Sequence, residues 1–300
     1  GTGMPAGAEV RALAVCPANA DLLYASFRNG RRGVYWSGDA GLSWTATDLV
    51  GEDVFGIAVD PRDCDTVYAG TRQQGVIKSE DGGRSWSALS QGLASPVVYT
   101  VVLDPTEPDV VYAGTARRGV YRSYDGGATW RAWGLALLPV VDLSVTEDGE
   151  TVYAATWGAG VHRRPAHSRT ASAWRAVNEG IAEDHRAICD ITVDRRDGAM
   201  AFAATASGGV YRTLDGGRTW GRVLPSPKVA YAVAVDPEYG DMVYAGTAQG
   251  AFRSVSAGDP GSWESFKPDL EDVAVWAVAI GPRAGVVHLG TPDGAWRHRR

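Results

Sequence analysis

Apolar and polar residues alternate along the chain in short runs, each broken by Gly, Asp, Asn or Pro, and no stretch carries a helical period. Val54–Val59 is typical: β-branched and aromatic residues run up to Asp60-Pro61, where the proline cannot donate to a ladder. The next run recurs through the sequence. It reads Leu23-Tyr24-Ala25, Tyr68-Ala69-Gly70-Thr71, Tyr112-Ala113-Gly114-Thr115, Tyr153-Ala154-Ala155-Thr156, Phe202-Ala203-Ala204-Thr205, Tyr244-Ala245-Gly246-Thr247 and His288-Leu289-Gly290-Thr291. The steps are 44, 44, 41, 49, 42 and 44 residues. A period of this size means stacked sheets or a solenoid. Each unit predicts four strands: an inner strand, the tyrosine strand, a Gly-Val-Tyr-Arg type strand as at 119–122, and a strand opening on tryptophan. Four-stranded sheets repeated radially protect their edges by closing a ring. The expected fold is therefore all-β, a seven-bladed β-propeller of four-stranded antiparallel blades, with residues 1–300 forming one domain. Blade boundaries fall near residues 54, 98, 140, 187, 230 and 275. The seventh unit stops at Arg300 after its third strand, so the last blade is expected to be irregular, with any fourth strand drawn from residues 1–8.

Between the third and fourth strands lies a turn of fixed chemistry. Ser79-Glu80-Asp81-Gly82-Gly83-Arg84-Ser85-Trp86, Ser123-Tyr124-Asp125-Gly126-Gly127-Ala128-Thr129-Trp130 and Thr213-Leu214-Asp215-Gly216-Gly217-Arg218-Thr219-Trp220 share it. Residues 37–44 are a variant, and the fourth and sixth units keep only Trp174 and Trp263. This pattern resembles the Asp-box, or BNR, repeat. The aspartate is suited to accept turn hydrogen bonds, the glycines to take positive φ, and the tryptophan to pack under the turn. Such a turn staples a fold and says little about function.

Composition narrows the classes. A net charge of −6 argues against a nucleic-acid partner, which requires a basic face. No run of 18 apolar residues exists, so no membrane span is expected. The opening Gly1-Thr2-Gly3-Met4-Pro5 reads as a tag remnant before a start at Met4. Three cysteines do not make a disulfide framework. Cys16 and Cys64 occupy equivalent turns of neighbouring units, which leaves two readings, one bridge or free thiols in a reducing cytoplasm. A cytoplasmic monomer is expected, with no cofactor and no metal, since neither zinc-like spacing nor a phosphate loop is present.

Candidate chemistry comes from the register of the inner strands. Aligned on Val15, Val59, Leu103, Val145, Val193, Val235 and Ile280, the positions four residues earlier are Arg11, Phe55, Tyr99, Val141, Cys189, Tyr231 and Trp276, near the channel mouth. One residue further on stand Ala12, Gly56, Thr100, Asp142, Asp190, Ala232 and Ala277. Small residues suit the place where seven strands converge, but Asp142 and Asp190 are carboxylates, costly to bury unless paired or protonated. They are candidates for an acid/base pair, about 6–10 Å apart, or for ties to backbone amides. Phe55, Tyr99, Tyr231 and Trp276, with Trp157 from a loop and Arg11 beside them, are candidates for an aromatic-lined ligand pocket. The longest connection, from Trp174 to Cys189, carries Glu183-Asp184-His185-Arg186, and His185 is a weaker catalytic candidate with Cys189 as its nucleophile. On the same face Arg28, Arg31, Arg32, Arg72, Arg117 and Arg118 form a basic arc suited to forked contacts with carboxylate or phosphate. Glu179, Glu183, Asp184, Glu271, Asp272 and Asp293 make the opposite side acidic.

Asp-box propellers include sialidases, xyloglucanases, sortilin-type receptors and photosystem II assembly factors. This chain lacks the Arg-Ile-Pro of sialidases. It is similar to xyloglucanases in its inner and Tyr-Ala strands, but shows Phe27-Arg28-Asn29-Gly30 where they carry an acidic residue in the following loop, and has one propeller where they pair two. The assembly-factor-like proteins are single seven-bladed propellers with an arginine-rich patch, which the arc from Arg28 to Arg118 resembles. That resemblance implies a module binding a small molecule or an anionic protein surface on its top face. The alternative is an enzyme, a hydrolase, lyase or cyclase, using Asp142 and Asp190.

Overall fold

Seven antiparallel sheets follow one another along the chain, six of four strands and the last of three, and each is a meander in chain order. The computed structural model describes residues 2–4, 7–30, 32–167, 174–225, 229–281 and 285–299. The inner strands are β1 (Val10–Val15), β5 (Val54–Val59), β9 (Val98–Leu103), β13 (Val140–Val145), β17 (Ile188–Val193), β21 (Ala230–Val235) and β25 (Ala277–Ile280). Among the described residues the helical content is confined to single 3-10 turns such as Glu183–His185 and Pro268–Leu270.

The second strands, such as β6 (Val67–Thr71) and β10 (Val111–Thr115), are buried along their whole length. Both of their faces are covered by neighbouring blades, so their sequence is a continuous apolar run without alternation. The core is accordingly divided into clusters that lie between blades. Tyr153, Ala155 and Val161 of the fourth blade meet Ile188, Ile191 and Trp220 of the fifth, and equivalent clusters fill the other junctions.

The Asp-Gly-Gly turns hold one geometry. Asp81 Oδ1 accepts from the Ser85 amide at 2.8 Å and its Oδ2 from the Ser85 hydroxyl at 2.6 Å, while Ser79 Oγ accepts from the Gly83 amide at 2.8 Å. Asp39, Asp125 and Asp215 repeat this network. These hydrogen bonds favour the ionised form and draw the Asp39, Asp81 and Asp215 carboxyls down to about 2. The tryptophan does more than pack under its own turn. The Trp130 indole donates to Leu89 O and the Trp220 indole to Val177 O, each on the preceding blade.

Two readings that the sequence left open are decided at the ring's seam and base. The opening segment, named as what would close the last blade if anything did, packs against blade one. Thr2 N donates to Leu42 O, Trp44 N donates to Thr2 O, and Met4 Sδ accepts from Ala295 N. Trp130 N donates to Gln91 O and Trp220 N to Glu179 O in the same way, so Thr2-Gly3-Met4 repeats Gln91-Gly92-Leu93 and Glu179-Gly180-Ile181. The glycine is required in each: with φ near +80 to +90, a Cβ would come within 2.0–2.3 Å of the following tryptophan's carbonyl oxygen. The segment thereby seals blade seven, strands β25, β26 (Val286–Thr291) and β27 (Gly294–Arg299), against blade one, and among the described residues it adds no fourth strand. Second, Cys16 and Cys64 are paired, with Cα atoms 5.6 Å apart, tying the first two blades together, while Cys189 is free.

Candidate functional site

The channel mouth is built by a repeated backbone irregularity. In six blades the register between first and second strands shifts by one residue, Val10 pairing with Phe27 but Ala12 with Ser26, and likewise at 54/56, 98/100, 140/142, 188/190 and 230/232. The bulged residues are Arg11, Phe55, Tyr99, Val141, Cys189 and Tyr231. A β-bulge leaves its extra residue out of the ladder and re-aims its side chain. Trp276 holds the seventh position just before β25, its amide donating to Gly290 O at 2.8 Å.

A second tier stands on the loops after the second strands. Arg28, Arg72, Ala116, Trp157, Ala206 and Ala248 each donate their amide to the carbonyl of the residue preceding or beginning the approach to the inner strand, as Arg28 N does to Glu9 O and Arg72 N to Asp53 O. The seven mouth side chains, with Arg28, Arg117 and Trp157 among others, line one open cavity of about 730 Å³. Phe55 and Tyr99 meet edge to face, ring centres 5.2 Å apart. Trp157 is 54% exposed at the rim. Small residues at Ala116 and Ala206 leave the entrance wide.

Arg11 is the most unusual charge in this cavity. Its guanidinium carbon lies 4.0 Å from the centre of the Phe55 ring. Burial, and then the neighbouring Arg28 charge, pull its pKa down to about 10. Among the described residues no carboxylate lies within ion-pair distance of it. The acid close by, Asp53, is held by Arg32 at 3.3 Å and Arg72 at 3.4 Å.

Asp142 and Asp190 lie beneath the mouth and are not part of its lining. Thr100 Oγ1 donates to Asp142 Oδ1 at 3.0 Å, the Ile191 amide donates to Asp142 Oδ2 at 3.1 Å, and the Val233 amide donates to Asp190 Oδ2 at 2.7 Å. The two carboxyls also hydrogen-bond to each other. Neighbouring inner strands belong to separate sheets, so side chains satisfy these two amides across two junctions, and the Thr100 hydroxyl adds a contact at a third. Both pKa values are raised by burial, and that of Asp142 further by the Asp190 charge. The raised values favour a proton retained by this pair of carboxyls on adjacent inner strands.

The remaining candidates separate. His185 ends the 3-10 turn Glu183–His185 and bonds through Nδ1 to the Tyr211 hydroxyl at 2.6 Å, outside the cavity lining. Cys189 lines the cavity, but burial and the Asp190 charge push its thiol up to about 12, so it is not poised as a thiolate. Of the arc, Arg28, Arg32, Arg72, Arg117 and Arg118 are exposed, Arg32 and Arg72 are both bound to Asp53, and Arg31 lies outside the described residues. Asp53 was not singled out by sequence, although an acid directly before an inner strand and between two arginine-bearing loops is a legible signal for what organises the arc.

No protein-family model matches the chain, and no curated protein does. Solved structures do. The GH74 enzyme of Niastella koreensis is similar at 20% identity and TM-score 0.72, over 97% of this chain and 51% of that one. A GH74 xyloglucanase from Xanthomonas campestris is similar at 21% identity and TM-score 0.73, over 94% and 51%. This chain therefore spans about half the length of those enzymes. YCF48 bound to D1 peptide is similar at 15% identity and TM-score 0.73, over 99% of this chain and 95% of that one. At these identities the likeness shows a shared seven-bladed propeller fold.

Proposed function

We propose that this propeller is a binding module that docks an anionic peptide segment of a protein partner across its top face, in the manner of an assembly factor. One observation carries the reading: the cavity lining holds Arg11, Arg28 and Arg117 and no acidic residue, in a chain of net charge −6. The arc of Arg72 and Arg118 extends that positive field outward, where it would steer encounter and set salt dependence. A peptide-bound YCF48 among the structural neighbours supports a peptide as the partner class. Catalysis by Asp142 and Asp190 has less support, because their oxygens are engaged with Thr100 and the Ile191 and Val233 amides.

The test is selection of peptides from a random-sequence display library against the whole chain. Acidic peptides are expected to dominate, with binding that weakens as salt rises. Exchanging Arg72, Arg117 and Arg118 for glutamate together abolishes that binding while leaving the Tm nearly unchanged, since all three are exposed. Recovery of no acidic peptide, or binding that survives the exchange at low salt, contradicts the proposal.

A further inference from the structure

Within the mouth, Arg11 is set apart from the exposed arginines of the arc. It sits on a bulged inner-strand residue, it is partly enclosed, and one face of its guanidinium is covered by the Phe55 ring. A half-enclosed guanidinium in a native structure is ordinarily matched by a carboxylate, because its desolvation is otherwise uncompensated. Here none lies within ion-pair distance among the described residues; Asp53 acts on Arg11 from farther off and is committed to Arg32 and Arg72. Arg28 adds a second charge on the same wall, while Tyr99, Tyr231 and Trp276 supply apolar and aromatic surface around it. The cavity, at about 730 Å³, is of the size that encloses a small organic molecule. Below it, Asp142 and Asp190 share a proton between them, which lessens the negative charge under the floor.

We infer that Arg11 and Arg28 form a subsite for a single carboxylate carried on an aromatic or other apolar body, which the mouth aromatics enclose. A carboxylate matches the planar fork of one guanidinium, and the apolar wall favours a singly charged group over a strongly hydrated phosphate dianion. The carboxylate is either that of a free small acid or the end of a peptide chain. The inference rests on the top-face binding reading, but it concerns the mouth and not the outer arc.

Isothermal titration of the whole chain tests it with paired probes: 3-phenylpropionate against 3-phenylpropionamide, and acetyl-Ala-Phe with a free carboxylate against its C-terminal amide, with inorganic phosphate as a third arm. An acid is expected to bind at least tenfold more tightly than its amide, and Arg11→Gln to erase that difference. Arg28→Gln, on an exposed loop, is expected to weaken acid binding several-fold and covers the case in which Arg11→Gln does not fold. Preference for the free small acid alone, or for the peptide acid alone, identifies the source and supports the subsite in either case. Equal binding of acid and amide, absence of binding by either acid, phosphate binding as tightly as the acids, or an acid preference that survives both substitutions overturns it. The acid–amide difference of these small probes reports the mouth, whereas the salt-dependent binding of acidic display peptides reports the outer arc, so failure of peptide docking on the arc and failure of this subsite are read separately.

Discussion

At the scale of single residues, Asp142 and Asp190 tie adjacent inner strands together by accepting from the Ile191 and Val233 amides. Asp142 and Asp190 stood out as carboxylates in a row of small residues, yet nothing in the chain says that the Ile191 and Val233 amides lack backbone partners. That depends on which strands share a sheet. The resulting account predicts unequal effects of substitution. Asp142→Asn keeps an acceptor for the Ile191 amide and a donor toward Asp190, so urea unfolding at neutral pH should find it near wild type. Asp142→Ala leaves that amide unsatisfied and should cost about 1–3 kcal/mol. The sign with pH follows from the raised carboxyls. In the folded state they hold protons that the unfolded chain has lost above its ordinary value of 3.8, so stability falls as pH rises from there through the folded titration. Asp142→Asn should flatten that slope, and an unchanged slope would contradict the shared proton.

At the scale of elements, register was the most legible feature. Counting back from the last apolar residue of each inner strand gathered seven residues that the structure brings around one cavity, because a period-two strand leaves little freedom in where a side chain falls. The bulge that aims them was not legible, since a one-residue surplus in a ladder is visible only against its partner strand. Residues 1–8 were expected to supply any closing element, but the motif around Gly3 was not legible, for another reason. Its match to Gln91-Gly92-Leu93 and Glu179-Gly180-Ile181 covers three residues and carries no strand pattern, so it resembled an arbitrary leader. The glycine itself is now a strong test of the motif. Gly92 has φ +86, with Trp130 O 2.3 Å from where a Cβ would stand. Gly92→Ala should lower stability by more than about 1 kcal/mol in denaturant unfolding. A neutral outcome would mean that the junction between blades two and three tolerates rearrangement.

At the scale of the whole molecule, closure of the ring depends on contacts between blade seven and blade one. In the other blades the second strand sends Tyr24, Tyr68, Tyr112, Tyr153, Phe202 or Tyr244 into the junction, whereas blade seven sends His288, which is 2% exposed and packs by Gly41. Burial, and then the Arg297 charge, press its pKa down to about 4 from the ordinary 6.5. The folded state therefore prefers the neutral ring. Stability from this site is complete above pH 6.5 and is lost as pH falls toward 4, by at most about 3 kcal/mol. His288→Phe should remove that acid-side loss in a series of Tm values from pH 7 to 4, and persistence of the full loss would place its origin elsewhere. The repeat made the ring legible as a whole, while the exception at its closure could be located only once the blades were in place. The same global view makes the division of charge meaningful, because the arginine arc and the mouth share one face. Hydrogen exchange of the chain with and without a selected acidic peptide tests the central claim most directly. Protection is expected in the loops around residues 28–33, 72–75 and 116–119 and at the start of β1 and β5. Protection confined to the Asp-Gly-Gly turns at 79–86 and 123–130, or to the opposite channel end, where Pro17 and Pro237 follow the last residues of β1 and β21, would contradict it.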